Sequence, residues 1–582
     1  MLSLLSPVLL LAAALPQQPR AVQRLTSGDI ECRRQELAVD GDFAVAAWSD
    51  QGTAGVRRAW VSTSDGRGVD WSPARLAFEE VTGEYWRYEP EDQMLAVADG
   101  VIYLGLRIFE DPPGKEFLFL TRSEDQGQTW SEPVKLPPVN LASNEFLKTF
   151  QIVAEGDRVH AMAYFNVSGS DRIVVASSQD RGRTWANLLE PDQQSARITG
   201  GARVHVEDGV LTLAWADNRN SPGSAYHDVF LNRSVDGGQT WAHAQDIQVD
   251  DSAAGTGKVD ATRPLTIAGG DQGLVMGWIE TFPGDEPDLV IRYSADGGQT
   301  WTQPSSRMAR RDGPVEEFGL DFDGTTIVTT FREINVNSGY SMLWCGRSRQ
   351  FGAAWKLSNV APSSNYIEDV QLTGNGDTWA VLCEDSSIGR IGSWYAVTRD
   401  AGKTWSALQP MLPEPRERDQ VDPRVAWSER YQNILVAWID LDWATFGARD
   451  ELDVGGFRVQ TLQAVSPSFT PGDPVHFEAS LFPEADAGAD FVVFVSRSLE
   501  NFHLPWGDGR NLGLGPNGFL PGQLAVLSGT LDADGFGATV PTTVPQTPGV
   551  TWYAAAMSYR VSATTGRIEP QTLTDTIAIK VQ

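Results

Sequence analysis

The residues of this chain best suited to chemistry are acidic, and they recur at the ends of apolar strands. Ala47-Trp48-Ser49-Asp50, Ala214-Trp215-Ala216-Asp217, Gly277-Trp278-Ile279-Glu280, Phe331-Arg332-Glu333, Leu382-Cys383-Glu384 and Ala437-Trp438-Ile439-Asp440 share this form. Between them lie Tyr85-Trp86-Arg87-Tyr88, Arg310-Arg311, Glu316-Glu317 and Tyr366. Paired carboxylates beside flat aromatic rings suit glycoside chemistry, in which one acid protonates the leaving oxygen while a base or nucleophile works on the other face of the sugar. For any single acidic ending, the recurrence argues first for a packing and turn device. The group Tyr85, Trp86 and Tyr88 is not repeated, so it suits stacking on a sugar, with Glu84, Arg87 and Glu89 reaching the hydroxyls. Burial between strands is the equal alternative.

What must position these residues is a repeat. A Ser/Thr-x-Asp-x-Gly-x-Thr-Trp octapeptide recurs every 50 to 60 residues or so, cleanly at 123–130, 178–185, 234–241, 294–301 and 398–405. Two worn copies stand at 63–71, with one extra residue, and at 348–355, with Gln350 in place of the Asp. The first hydroxyl and the carboxylate can accept backbone N–H bonds, the Gly permits positive φ and the Trp plugs inward, so the octapeptide is a hairpin turn. One carboxylate per turn supplies too few oxygens for calcium. Three strands can be read between successive boxes, as in 202–206, 210–216 and 228–232. A period of this length predicts a ring or solenoid of β units. Eight units can be counted, seven being the alternative, and the eighth, about 423–462, stops at its third strand. The segment 21–26 is expected to supply the missing outer strand and close the ring, removing exposed edges. With boxes between third and fourth strands, the acidic endings and the loops into each first strand should gather at the opposite end of a central channel.

Composition narrows the partners. The net charge of −30 disfavours nucleic acid and anionic membranes. Cys32, Cys345 and Cys383 show no metal spacing and read as buried free thiols, and the six scattered histidines indicate no metal site. No cofactor is expected. The apolar opening, with polar residues from Gln17, reads as a signal peptide over 1–20. No later stretch is long and apolar enough to span a bilayer. After Leu462 the rhythm ends, and short strands between Gly/Pro-rich turns predict an Ig-like β-sandwich accessory domain over 465–582, following a propeller over 21–464. The expected fold class is therefore all-β, a propeller followed by a sandwich.

The octapeptide is the Asp-box, and the chain resembles the Asp-box (BNR) repeat proteins of the sialidase superfamily. The resemblance implies a β-propeller and, at its sharpest, an exo-α-sialidase, in which arginines clamp the substrate carboxylate and a Glu-activated Tyr attacks. Placed on this chain, it assigns Glu317 or Glu316 as the activating carboxylate, Tyr366 as nucleophile, Arg332 as a clamp and Asp50 as the acid, with Arg34 near the first arginine position. The Tyr/Phe-Arg-Ile-Pro signature of that arginine is absent, and the Glu/Arg pair and the Tyr fall in consecutive units. Three functions follow: a secreted exo-glycosidase of sialidase type, a non-catalytic propeller binding glycans or proteins, and an Asp-box enzyme with another polysaccharide chemistry. The partner in each is an extracellular glycan or glycoprotein, and the protein is expected to be a monomer.

Overall fold

The computed structural model describes residues between 20 and 580, apart from short stretches and the longer ones at 87–93, 137–145, 187–197, 442–450, 481–488, 497–524 and 544–550. The proposed signal segment thus lies outside the described residues, except for Arg20. All described regular structure is β. The chain divides into two compact units, one running through Arg430 and taking in Ile434–Gly456, the other containing Phe457–Gln582.

The first unit is a propeller of eight antiparallel sheets. Blade 1 comprises Glu31–Asp40, Phe43–Gln51, Arg57–Ser64 and Arg75–Glu79, and blades 4, 6 and 7 repeat the same four-strand order. Blade 8 supplies Asp419–Ser428, Asn433–Leu441 and Glu451–Phe457 from one end of the propeller, and Arg20–Arg24 from the other. That closure has definite register, Gln23 opposite Val454 and Arg24 opposite Asp453. The Leu25 N–H donates to the Leu452 carbonyl at 2.9 Å, and Gln23 bonds the backbone of Trp71 through both its amide oxygen and its amide nitrogen. Each first strand packs on the first strands of both neighbouring blades, blade 8 on blade 1, so the ring closes with no terminal blade.

The core lies between blade faces. Leu435, Ala437 and Ile439 of blade 8 meet Ala44, Ala46 and Trp48 of blade 1, and similar apolar layers join the other blades. Trp48, Trp215, Trp278, Trp379 and Trp438, all from second strands, are fully buried. In three of them the indole N–H donates to the acid two residues on: Trp215 to Asp217 at 3.0 Å, Trp278 to Glu280 at 2.8 Å and Trp438 to Asp440 at 3.2 Å. In these three blades Trp-x-Asp/Glu is therefore a buried pair in which the acid takes the indole N–H, whereas in blade 1 Asp50 is bound by Arg58 instead.

The boxes are turns of the expected kind. In 234–241 the Asp236 carboxylate accepts from Ser234 Oγ at 2.7 Å, Thr240 N at 2.9 Å and Thr240 Oγ1 at 2.6 Å, while Ser234 Oγ accepts from Gly238 N at 2.8 Å. The residue before the Gly also takes positive φ, even where it is Gln126 (+62°), Arg181 (+61°) or Phe351 (+50°). Two left-handed residues in succession form the turn, and in the boxes that keep the Asp the carboxylate bonds offset the strain in the non-glycine.

The second unit holds two antiparallel sheets. One includes Thr461–Val465 and Pro474–Ser480, and the other is built on Asp490–Ser496 and Thr551–Val561. Phe477, Phe491, Val493 and Ala554 are buried within it.

Candidate functional site

The first strands carry irregularities at the end away from the boxes. Register shifts interrupt pairing between Cys32 and Gln35 in blade 1, Gly200 and Arg203 in blade 4, Val315 and Glu317 in blade 6, and Glu368 and Gln371 in blade 7. A bulge leaves one residue unpaired and re-aims its neighbours. Asp369 (φ +49°) and Asp422 (φ +54°) take left-handed backbone here, a conformation Asp tolerates better than most residues. Charged side chains that regular alternation would partly turn into the blade are thereby directed at the axis.

They line a cavity of about 810 Å³ whose walls come from the first strands of all eight blades. Its cations are Arg34, Arg203, Arg263 and Arg424, and its carboxylates are Glu36, Glu316, Glu317, Glu368, Asp369 and Glu384. Most are bound to one another or to backbone. Arg332, behind the wall, donates through Nη2 to Glu316 Oε2 at 2.9 Å and to Glu317 Oε1 at 3.1 Å. The Val370 N–H reaches Glu317 Oε2 at 3.3 Å, tying blade 6 to blade 7. Arg424 donates to Asp369 Oδ2 at 3.1 Å and pairs with Asp422. Arg263 donates to Asp260 at 3.0 Å. Glu36 accepts the Met94 and Leu95 N–H groups at 2.8 and 2.9 Å, and Glu384 accepts Asp422 N at 2.6 Å.

Burial dominates the acidity of this ring. It pushes Glu36 up to about 7, against Arg34 and the two N–H donors, and Glu384 up to about 7, against the Asp422 N–H. Glu317 is also raised by burial, with Arg332 opposing. The cavity thus offers carboxyls able to give a proton near neutrality beside arginine-bound carboxylates, a division of labour on which acid–base chemistry at a sugar depends.

The residues singled out from the sequence are distributed unevenly. Glu316, Glu317 and Arg34 line the cavity, and Arg332 grips both glutamates. Tyr366 is not a lining residue: it is 45% exposed just before Ile367–Asn375, and its phenol bonds Glu368. That bond, then burial, raises its pKa, so the proton is held more firmly than in a free phenol. Asp50 is 2% exposed and bound to Arg58 Nε at 2.9 Å, away from the lining. Tyr85 and Trp86 lie on Glu84–Trp86, which pairs with Val101–Glu110, while Arg87, Tyr88, Arg310 and Arg311 fall outside the described residues.

The expectation that all the acidic endings converge at the mouth is corrected. Only Glu384 lines the cavity, because second strands stand one layer out from the axis and their terminal acids are taken by Trp indoles or by arginines such as Arg58 and Arg219. Glu36, Arg203, Arg263, Glu368 and Asp369 were not singled out as site residues. Their signal in the sequence is charge at or near the start of a first strand, as in Arg34-x-Glu36.

Residues 42–277 match the family of BNR repeat-like domains. No curated protein matches the chain. Among solved structures, the Hadza microbial sialidase Hz136 is 19% identical with a TM-score of 0.33, the match covering 52% of this chain and 63% of that one. The chain thus spans less than two thirds of that sialidase. The polysaccharide lyase Uly1 is 11% identical (TM-score 0.42), with 74% of this chain and 100% of that one covered. A GH93 alpha-L-arabinofuranosidase of Fusarium graminearum is 12% identical (TM-score 0.34), over 66% of this chain and 96% of that one. Likeness this distant carries no substrate across. Residues 42–277 thus carry a BNR repeat-like domain, and the boxes and the eight-sheet ring make the first unit an Asp-box β-propeller.

Proposed function

We propose that the propeller binds an extracellular glycan, free or on a glycoprotein, in the axial cavity, and that the protein works as a secreted monomer. The observation that carries this reading is the cavity itself. Its volume of about 810 Å³ lies within the range of small-molecule sites, and four arginines and six carboxylates on its walls present donors and acceptors suited to hydroxyls. The apolar opening of the chain supports export. Glycan-array screening followed by calorimetry tests the proposal. Glu384→Gln and Glu368→Gln should each weaken the best array ligand about tenfold or more, as expected for a hydrogen bond to a charged group. An array without a hit, or a ligand indifferent to both substitutions, would overturn it.

An exo-glycosidase of sialidase type is the second reading, favoured by the contact of Arg332 with Glu316 and Glu317. It requires Tyr366 to give up the proton it now shares with Glu368, for instance by moving toward Glu317 when substrate binds. On an arylated sialoside, Tyr366→Phe should abolish turnover. Absence of wild-type turnover would remove this reading and leave glycan binding standing.

A further inference from the structure

A second cavity, of about 290 Å³, opens at the box face between blades 4 and 5. Arg233, His205, Thr212, Glu207 and Gly297 are among its walls. Arg233 immediately precedes the box of blade 4 and is only 7% exposed. Its backbone N–H donates to Asn232 Oδ1, but its guanidinium makes no hydrogen bond or ion pair among the described residues, and its buried Nε has no acceptor. Asp296, an acid whose charge acts on it, is committed to its own box: it accepts Ser294 Oγ at 2.7 Å, Thr300 N at 2.8 Å and Thr300 Oγ1 at 2.6 Å. Glu207 is engaged with His205 at 3.5 Å and packs on Gly269.

The equivalent residue two blades back provides an internal control. Arg122 also immediately precedes a box, and it donates to the Gly182 carbonyl of the next box at 3.0 Å and to Glu124 at 3.3 Å. Arg233 approaches the matching turn, where a Cβ at Gly297 would stand 3.0 Å from its Nη2, yet it finds no acceptor there. A buried guanidinium without a partner is costly, and burial pulls its pKa below the ordinary value. A compact anion would relieve that cost, and planar guanidinium matches the oxygens of sulfate, phosphate and carboxylate.

We propose that this cavity is a binding site for a small oxyanion group, a sulfate, phosphate or carboxylate, held by the Arg233 guanidinium. Glu207 and exposed Asp208 also stand on the cavity wall and oppose an anion, so the guanidinium must supply the attraction. The full chain should be titrated with sodium sulfate, phosphate and acetate at constant ionic strength against chloride, following thermal unfolding and calorimetric heat. Wild type should show a saturable rise in Tm with at least one of the three. Arg233→Gln should lose at least about tenfold in affinity, while Arg122→Gln keeps it. Equal stabilisation of wild type and Arg233→Gln would mark a general salt effect and overturn the site, as would no saturable effect in wild type. Should Arg233→Gln not fold, crystals of wild type soaked in sulfate decide the matter: anomalous density against the guanidinium supports the site and an empty cavity refutes it. A sulfated monosaccharide compared with inorganic sulfate distinguishes the source. Tighter binding of the sugar assigns the oxyanion to a glycan, and equal binding assigns it to a free ion.

Discussion

At the box face Asp125 accepts Thr129 N at 2.8 Å and Thr129 Oγ1 at 2.6 Å, and these bonds hold its carboxyl down to about 2. Asp180, bonded in the same way to Thr184, is likewise held at about 2. At the other end of the blades, burial drives Glu36 and Glu384 up to about 7 although each accepts backbone N–H bonds. One functional group does opposite work because the boxes surround an exposed carboxylate with donors, whereas the cavity removes water faster than it supplies them. Burial and donor count decide, not the face: partly buried Asp321 is pushed up to about 6, and Asp440, buried beside Asp453, is pushed up as well.

The difference can be broken most forcefully at Arg332. Arg332→Ala leaves Glu316 and Glu317 without their shared cation and should destabilise the propeller by about 3–5 kcal/mol, read by denaturant unfolding. A loss below about 1 kcal/mol would show the pair to be as weak as surface ion pairs are.

pH separates the two groups by sign. For Glu36 and Glu384 the folded pKa lies above the ordinary 4.5, so their stabilisation is complete below about pH 4.5 and is lost as pH rises through about 7. For Asp125 and Asp180 the folded pKa lies below 3.8, so their contribution is complete above that value and is lost as pH falls through about 2. Tm should therefore fall between pH 5 and 8, and Glu36→Gln should flatten that slope. A Tm rising over this interval would contradict the assignment.

Smaller effects are expected within the boxes. Asp236→Ala should cost about 1–3 kcal/mol and leave ligand affinity unchanged. Gln350→Asp, restoring the worn box of blade 6, should gain about 0.5–1 kcal/mol, since Ala354 in place of Thr offers only its N–H. A neutral result in differential unfolding would mean that Gln350 already serves the turn.

The propeller was legible because its signals are local and repeated. The box carries its own bonds, its spacing counts blades, and the unfinished eighth unit called for the strand found at Arg20–Arg24. The cavity was harder to read because its charges come once each from bulged first strands. The bulge around Asp369 and the left-handed backbone of Asp422 leave no pattern in a single sequence, and no motif links Glu36 to Arg424 across the closure. The repeated Trp-x-Asp drew attention to second strands, where a buried indole takes the carboxylate. Glu384 follows a cysteine, has no indole two residues before it, and lines the cavity.

The most direct measurement of the contrast between the two sets of carboxyls is their titration by carbon-13 NMR on protein labelled at Asp and Glu, with Glu36→Gln, Glu384→Gln, Asp125→Asn and Asp180→Asn assigning the signals. Glu36 and Glu384 should titrate near pH 7 and Asp125 and Asp180 near pH 2. All four titrating together near pH 4 would contradict the division between an acid-holding cavity and structural turns.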